Sequence, residues 1–309
     1  MDDDGHDGHD DARVDRVRGF NRAVTQRVGA LNDRYLARDR PLGEARVLWQ
    51  IGEDGDDGCD VRRLRSLLDL DSGYLSRLLR SLEADGLVAV DRSDDDKRVR
   101  TARLTAAGAK ERKVLDDRSD ALARSLLAPL SPSRQERLVT AMGEVERLLT
   151  AALVEIEPVD PAHRHARHCL HEYYAELDRR FDGGFDVAQS MAVDLDQVRP
   201  PAGVFLLATL RGEPVGCGAL RTPDPHAGLG EIKRMWVDPS ARGLGVGRRL
   251  LGDLEDRARA AGCRTVRLDT NGALAEAIAM YRSTGYAEVE PFNDDPYAQL
   301  YFEKPLSPV

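Results

Sequence analysis

The sequence predicts two domains of different class in one chain. The first is helix-rich, α with a β wing, and the second is α/β on a mixed sheet. Three observations carry this. Apolar residues recur at helical spacing over residues 61–82, ahead of two short apolar strands flanking a charged turn. Residues 231–251 read as a strand, a glycine-rich turn and a helix. The 309 residues exceed one ordinary domain, and 41% hydrophobic residues can fill two cores.

Residues 1–13, a repetitive Gly-His-Asp tail, are expected to be disordered. The pattern turns helical over 14–36, with Val17, Phe20, Val24, Val28, Leu31 and Tyr35 on one side, and again over 44–51. Asp60 caps a helix carrying Val61, Leu64, Leu67 and Leu68. Past a tight turn, Asp71 or Ser72 caps a second, with Leu75, Leu78, Leu79 and Leu82 at i, i+3, i+4 and i+7. Asp85-Gly86 stops it, and strands over 87–91 and 99–104 flank the polar turn 92–98. Two packed helices and a β-hairpin make a winged helix-turn-helix, whose second helix enters the major groove while the wing reaches phosphates or the minor groove.

YLSRLLRSLEADGLV, then Asp96-x-Arg98, then LTAAG at 104–108, resemble the MarR transcriptional regulators. The resemblance implies a dimer on a palindromic operator. It puts Ser72, Tyr74, Ser76, Arg77 and Arg80 on the duplex and Arg98 at the wing tip, supported by Arg92, Lys97 and Arg100. Residues 72–103 hold seven Lys/Arg against six Asp/Glu, so binding depends on geometry and weakens steeply with salt. Two long helices follow, over 106–127 and 133–153, with leucine stripes that suit burial against a partner subunit. The helical domain is therefore assigned to 14–153 and the α/β domain to 154–309.

In the second domain, Ile232, Met235 and Val237 read as a strand ended by Asp238-Pro239. The turn Arg242-Gly243-Leu244-Gly245-Val246-Gly247 then opens a helix with Val246, Leu250, Leu251, Leu254 and Ala258 on its apolar face. A strand passing through glycines into a helix N-terminus gathers backbone N–H groups for a phosphate. A dinucleotide fingerprint would need glycine at position 248, which is arginine, although Asp269 stands where a ribose-binding acid would. A triphosphate loop would need Lys followed by Ser or Thr. The fit is R-x-x-G-x-G, and with Tyr281-x-x-x-Gly285-Tyr286 it resembles the GNAT acetyltransferases over roughly 155–304.

That resemblance implies acetyl-CoA as cosubstrate, with its pyrophosphate on Arg242–Gly247 and Arg248. Backbone groups around Met235, Trp236 and Val237 would polarise the thioester carbonyl and pair with pantetheine. The acceptor is a small amine or a protein lysine. Tyr281 is the candidate acid for the leaving thiolate and Glu231 the candidate base. Relatives carry asparagine seven residues before the tyrosine; here Leu274 stands there, and Asn271 or Thr270 is the substitute. His163, His165, His168 and His171 crowd the helix after Pro161, without a spacing that fixes a carboxylate ligand, so no metal is assigned.

Scattered cysteines, no apolar run long enough to span a bilayer and no basic-then-apolar leader point to the cytoplasm. The resulting expectation is a DNA-binding regulator joined to an N-acetyltransferase. Its rivals are a regulator whose second domain only senses acetyl-CoA or a metabolite, and an enzyme using the helix-turn-helix only as a dimer scaffold.

Overall fold

The computed structural model describes residues 4–28, 36, 40–92, 100–188, 195–224 and 227–307. It divides into two compact units, one ending at Val139 and the other beginning at Thr140. The division falls within helix α6 (Pro132–Ala152).

The first unit holds α1 (Asp4–Arg27), α2 (Leu42–Glu53), α3 (Val61–Leu68), α4 (Ser72–Ala84) and α5 (Ala106–Leu127). Its strands are β1 (Cys59–Asp60), β2 (Val88–Arg92) and β3 (Arg100–Leu104). Side-chain oxygens start α3, α4 and α5, since the first amides of a helix lack internal partners. Asp60 accepts from the Arg62 and Arg63 amides at 2.7 and 3.1 Å, and Asp71 from the Tyr74 amide at 2.8 Å. Leu75, Leu78, Leu79 and Leu82 pack with Leu48, Ile51, Leu64 and Leu115 in one core.

Two features differ from the sequence expectation. Helix α1 begins at Asp4, inside the stretch expected to be disordered. Strand β1 joins the wing sheet through Cys59 paired to Ala102, giving the order β1-β3-β2. Two residues are too few to show alternation. Residues 93–99, with Lys97 and Arg98, lie outside the described residues.

Among the described residues, the second unit carries one seven-stranded mixed sheet of order β4-β5-β6-β7-β8-β10-β9. The strands are β4 (Val154–Pro158), β5 (Gly203–Leu210), β6 (Glu213–Asp224), β7 (Leu229–Val237), β8 (Thr265–Thr270), β9 (Ala287–Val289) and β10 (Leu300–Pro305). Helix α7 (Arg164–Arg180) covers one face, setting Cys169 and Leu170 against Phe205, Leu207 and Trp236. Helices α8 (Val246–Ala260) and α9 (Ala275–Ser283) cover the other. There Leu250, Leu251 and Leu254 are buried with Ile232, Val266 and Phe302, each leucine worth about 1.5–3 kcal/mol.

All neighbouring strands run antiparallel except β7 and β8. These two pair only from Leu229–Thr265 to Glu231–Arg267 and then part, leaving the later half of β7 without a ladder partner on that side. On its other side β7 bulges, because Arg234 and Met235 together face the single residue Gly218 of β6. Arg234 takes φ +58°, unusual for a residue with a side chain. At the last paired row, Glu231 lies opposite both Arg221 and Arg267 and forms ion pairs with each. Burial alone would raise the Glu231 carboxyl; the Arg267 and Arg221 guanidiniums outweigh it and hold the carboxyl below its usual range.

Removing the charge at Glu231 leaves two guanidiniums facing each other without their shared anion. Glu231→Gln is expected to cost about 3 kcal/mol in urea denaturation at pH 7. The depressed carboxyl stabilises the fold fully above the ordinary carboxylate range, and that contribution is lost as pH falls through the folded value. The gap between parent and variant should therefore narrow in titrations from pH 7 to 3.

Candidate active site

The parting of β7 from β8 opens two cavities that meet. One, of about 610 Å³, is lined by Met235, Trp236, Val237, Arg242, Gly243, Gly245, Val246, Gly247 and Arg248. The other is lined by Lys233, Arg234, Asp269, Asn271, Asp295 and Tyr297, with Phe181 and Phe185. Tyr173, Leu177, Met235, Leu274, Ala277 and Tyr281 belong to both.

The first cavity is built as an anion cradle. Gly245 caps α8 at φ +78°, a conformation that strains side-chain-bearing residues, and a Cβ there would meet only open space. The first capped bond runs from the Arg249 amide to the Gly245 carbonyl at 3.0 Å. The amides of Val246, Gly247 and Arg248 are thus the unsatisfied donors of the first turn. Gly247 serves packing instead: a Cβ there would stand 3.3 Å from the Met280 sulfur and 3.5 Å from Val237. Four guanidiniums, from Arg147, Arg180, Arg242 and Arg248, face two carboxylates, Glu176 and Glu276.

Glu176, buried on α7, ties this side together. It accepts from Trp236 Nε1 at 2.9 Å, Arg242 Nη2 at 2.6 Å and Arg180 Nη1 at 3.1 Å. Arg242 also gives its Nε to the Val237 carbonyl at 3.1 Å, so the guanidinium is fixed between strand and helix. Arg248 reaches the Ser283 hydroxyl at 3.3 Å. Leu244 does not line the cradle; it packs against the core beneath.

Tyr281 sits where the cavities meet, 5% exposed, its ring 5.8 Å from Tyr286 and 6.0 Å from Phe302. Its hydroxyl makes no hydrogen bond among the described residues, although the ring is buried. Burial, with Tyr173 and Asp269 nearby, pushes the phenol well above its ordinary value. It therefore stays protonated across the working pH range.

The structure does not bring Glu231 to this place. The glutamate lines neither cavity, and its carboxylate is clamped by two guanidiniums. Asn271 lines the second cavity, not the cradle. Its Nδ2 donates to the Tyr297 carbonyl at 2.9 Å and its Oδ1 accepts from the Ala273 amide at 2.9 Å, which occupies the side chain locally. Thr270 lines the second cavity as well. His163, His168 and His171 are exposed, and no metal-holding group of His, Cys, Asp or Glu occurs among the described residues.

Sequence reasoning missed Tyr173, Glu176, Leu177 and Arg180. They stand at i, i+3, i+4 and i+7 on α7, a helical face that was legible but was overshadowed by the histidines preceding it. It also missed Lys233 and its ion pair with Asp269, which Asn293 Nδ2 joins at 3.0 Å from Asp269.

In the first unit, Ser72, Tyr74, Arg77 and Arg80 are exposed along α4, opposite its buried leucines, and Ser76 is half-buried. The Arg77 guanidinium lies 5.6 Å from the centre of the Tyr74 ring, and Arg80 Nε donates to the Ser76 carbonyl at 3.2 Å. Arg92 and Arg100 pair at the open end of the wing strands.

Comparison with known proteins agrees with this division. Residues 167–286 match the model of the Acetyltransferase (GNAT) family, and residues 39–99 match that of the MarR family. The chain is 43% identical over 134 residues to an IAA acetyltransferase of Azospirillum brasilense, covering 42% of this chain and 86% of that one. It is 32% identical to an aminoglycoside N(6')-acetyltransferase type 1 of Stenotrophomonas maltophilia, over 34% of this chain and 68% of that protein. A solved acyl-CoA N-acyltransferase structure from Klebsiella pneumoniae aligns at 31% identity and TM-score 0.42, over 50% of this chain and 99% of that one. No helix among the described residues is long and apolar enough to cross a membrane. The chain is a member of the GNAT family of N-acetyltransferases, and its residues 39–99 resemble the MarR family.

Proposed function

We propose that the chain acetylates an amine held in the second cavity and binds a palindromic DNA operator through α4 and the wing. The observation that carries the catalytic half is the Tyr281 hydroxyl, protonated, without a hydrogen-bond partner among the described residues and at the meeting point of cradle and cavity. The first-turn amides of α8 with Arg242 and Arg248 suit a pyrophosphate, and the unpaired edge of β7 suits an extended amide chain. Acetyl-CoA supplies the acetyl group as a thioester, whose sulfur leaves as a thiolate when the acceptor nitrogen bonds the acetyl carbon. The β7 edge around Met235 and Val237 offers N–H groups to the carbonyl oxygen as charge builds there. Tyr281 gives its proton to the departing sulfur. Asp295, whose carboxylate lines the second cavity, is suited to take the proton the nitrogen loses, directly or through water.

The regulatory half rests on the exposed set Ser72, Tyr74, Arg77 and Arg80, a groove-reading face on a firmly packed helix. Exposed Val139, Met142, Leu148 and Leu149 on α6, and Val17 and Phe20 on α1, offer apolar surface to a second copy, as palindrome binding requires. The bifunctional reading is preferred to a sensor or a scaffold because both faces keep their working groups.

Tyr281→Phe keeps the ring and deletes the acid, so turnover should fall by ~10²–10⁴-fold while acetyl-CoA affinity holds. Steady-state thiol release with calorimetry separates the two. Gly245→Val should weaken acetyl-CoA binding by ~10–100-fold, because the new side chain strains the backbone and keeps phosphate from the amides. Normal calorimetric affinity would make the turn a mere connection. Arg77→Ala should weaken a selected operator by about 1–3 kcal/mol at fixed salt, and unchanged affinity would remove α4 from the interface.

A further inference from the structure

The acceptor cavity has a composition that the transfer chemistry alone does not require. Its outer wall is aromatic: Phe185 lies 4.7 Å from Tyr297 and 5.8 Å from Phe181, centre to centre. Among the cations around the cleft, Lys233 is paired with Asp269, Arg180 with Glu176 and Glu276, and Arg242 with Glu176. Arg234 differs in its place: like the exposed Arg248 it forms no ion pair among the described residues, but it is half-buried and lines the acceptor cavity. Its guanidinium lies over the rings of Tyr174 and Tyr173, 5.1 and 5.9 Å from their centres. Stacking holds the plane of the fork while leaving its N–H edges to donate, an arrangement that suits a carboxylate taken by two bonds. The residue is delivered there by the bulge of β7, at a φ of +58° that a residue with a side chain rarely adopts.

We propose that the acceptor is an amine that also bears a carboxylate and an apolar, aromatic body. An aromatic α-amino acid is its simplest form, and Arg234 is the specificity residue that binds its carboxylate. This rests on the acetyl-transfer reading above. The charges divide to match such a ligand. Arg234 is placed for the acid group, the carboxylate of Asp295 for the ammonium, and the Phe181, Phe185 and Tyr297 rings for the body. A plain amine would leave Arg234 half-buried against aromatics with no anion.

The test uses the full chain with acetyl-CoA and measures thiol release. Phenylalanine and tryptophan are compared with phenethylamine and tryptamine, their decarboxylated counterparts, and with spermidine. The expected result is a kcat/KM for the amino acids at least ~30-fold above their counterparts, the loss typical when one partner of a buried charge pair is removed. Arg234→Gln should erase that difference by raising KM for the amino acids by a similar factor, with kcat at saturation and calorimetric acetyl-CoA affinity unchanged; Arg234→Lys should recover part of it. Preference for the decarboxylated amines or spermidine, or an Arg234→Gln variant with unaltered KM, overturns the proposal. So does a chain that binds acetyl-CoA and acetylates none of the amino acids. Failure to bind acetyl-CoA at all overturns instead the acetyl-transfer reading on which the proposal stands.

Discussion

The site depends on one row of side chains, Arg221, Glu231 and Arg267, that crosses β6, β7 and β8 at the last point where β7 and β8 are paired. A parallel pair of strands ordinarily continues to pair, because each unmade ladder bond leaves an amide and a carbonyl without a partner. Here the anion between two cations fastens the strands on one side of a line, and the bulge at Arg234 turns β7 away on the other. The unpaired polar edge that results is a cost to the isolated fold. It becomes an asset when a ligand with its own amides lies along it.

The same economy appears around Glu176. One buried carboxylate takes an indole N–H and two guanidiniums, and so fixes α7, β7 and the turn before α8 together. Its charge also keeps Arg242 and Arg180 from facing one another unscreened. A diphosphate arriving at the cradle would meet donors already oriented, rather than flexible side chains that must be ordered on binding. Tyr281 is the counterpart on α9, a polar group kept dry and protonated by the packing of Tyr173, Tyr286 and Phe302 around it.

Much of this was legible in the sequence, for identifiable reasons. The cradle shows because glycines at 245 and 247 and the period of Val246, Leu250, Leu251 and Leu254 are local features. The capped helices at Asp60 and Asp71 show for the same reason. The ion pairs of Glu231 were not legible because a sequence tells that a residue starts a strand, not which cations the neighbouring strands set beside it. Asn271 looked available because its role in closing the turn to Ala273 depends on geometry. Arg234 could not be found at all, since nothing in the residue itself announces a bulge or a positive φ. The two-residue strand β1 lacked the length that a period needs. What eluded the sequence is therefore cross-strand and conformational, while what it revealed is periodic or turn-forming.

The central claim is that the parting of β7 and β8 is a preformed slot for acetyl-CoA, with Tyr281 at its inner end. A crystal structure of the full chain with a non-hydrolysable acetyl-CoA analogue tests it most directly. The account predicts the pyrophosphate on the amides of residues 246–248, the pantetheine along the β7 edge beyond Glu231, and the sulfur position within hydrogen-bonding reach of the Tyr281 hydroxyl. A cofactor bound elsewhere, or bound here with its sulfur turned away from Tyr281, would contradict it.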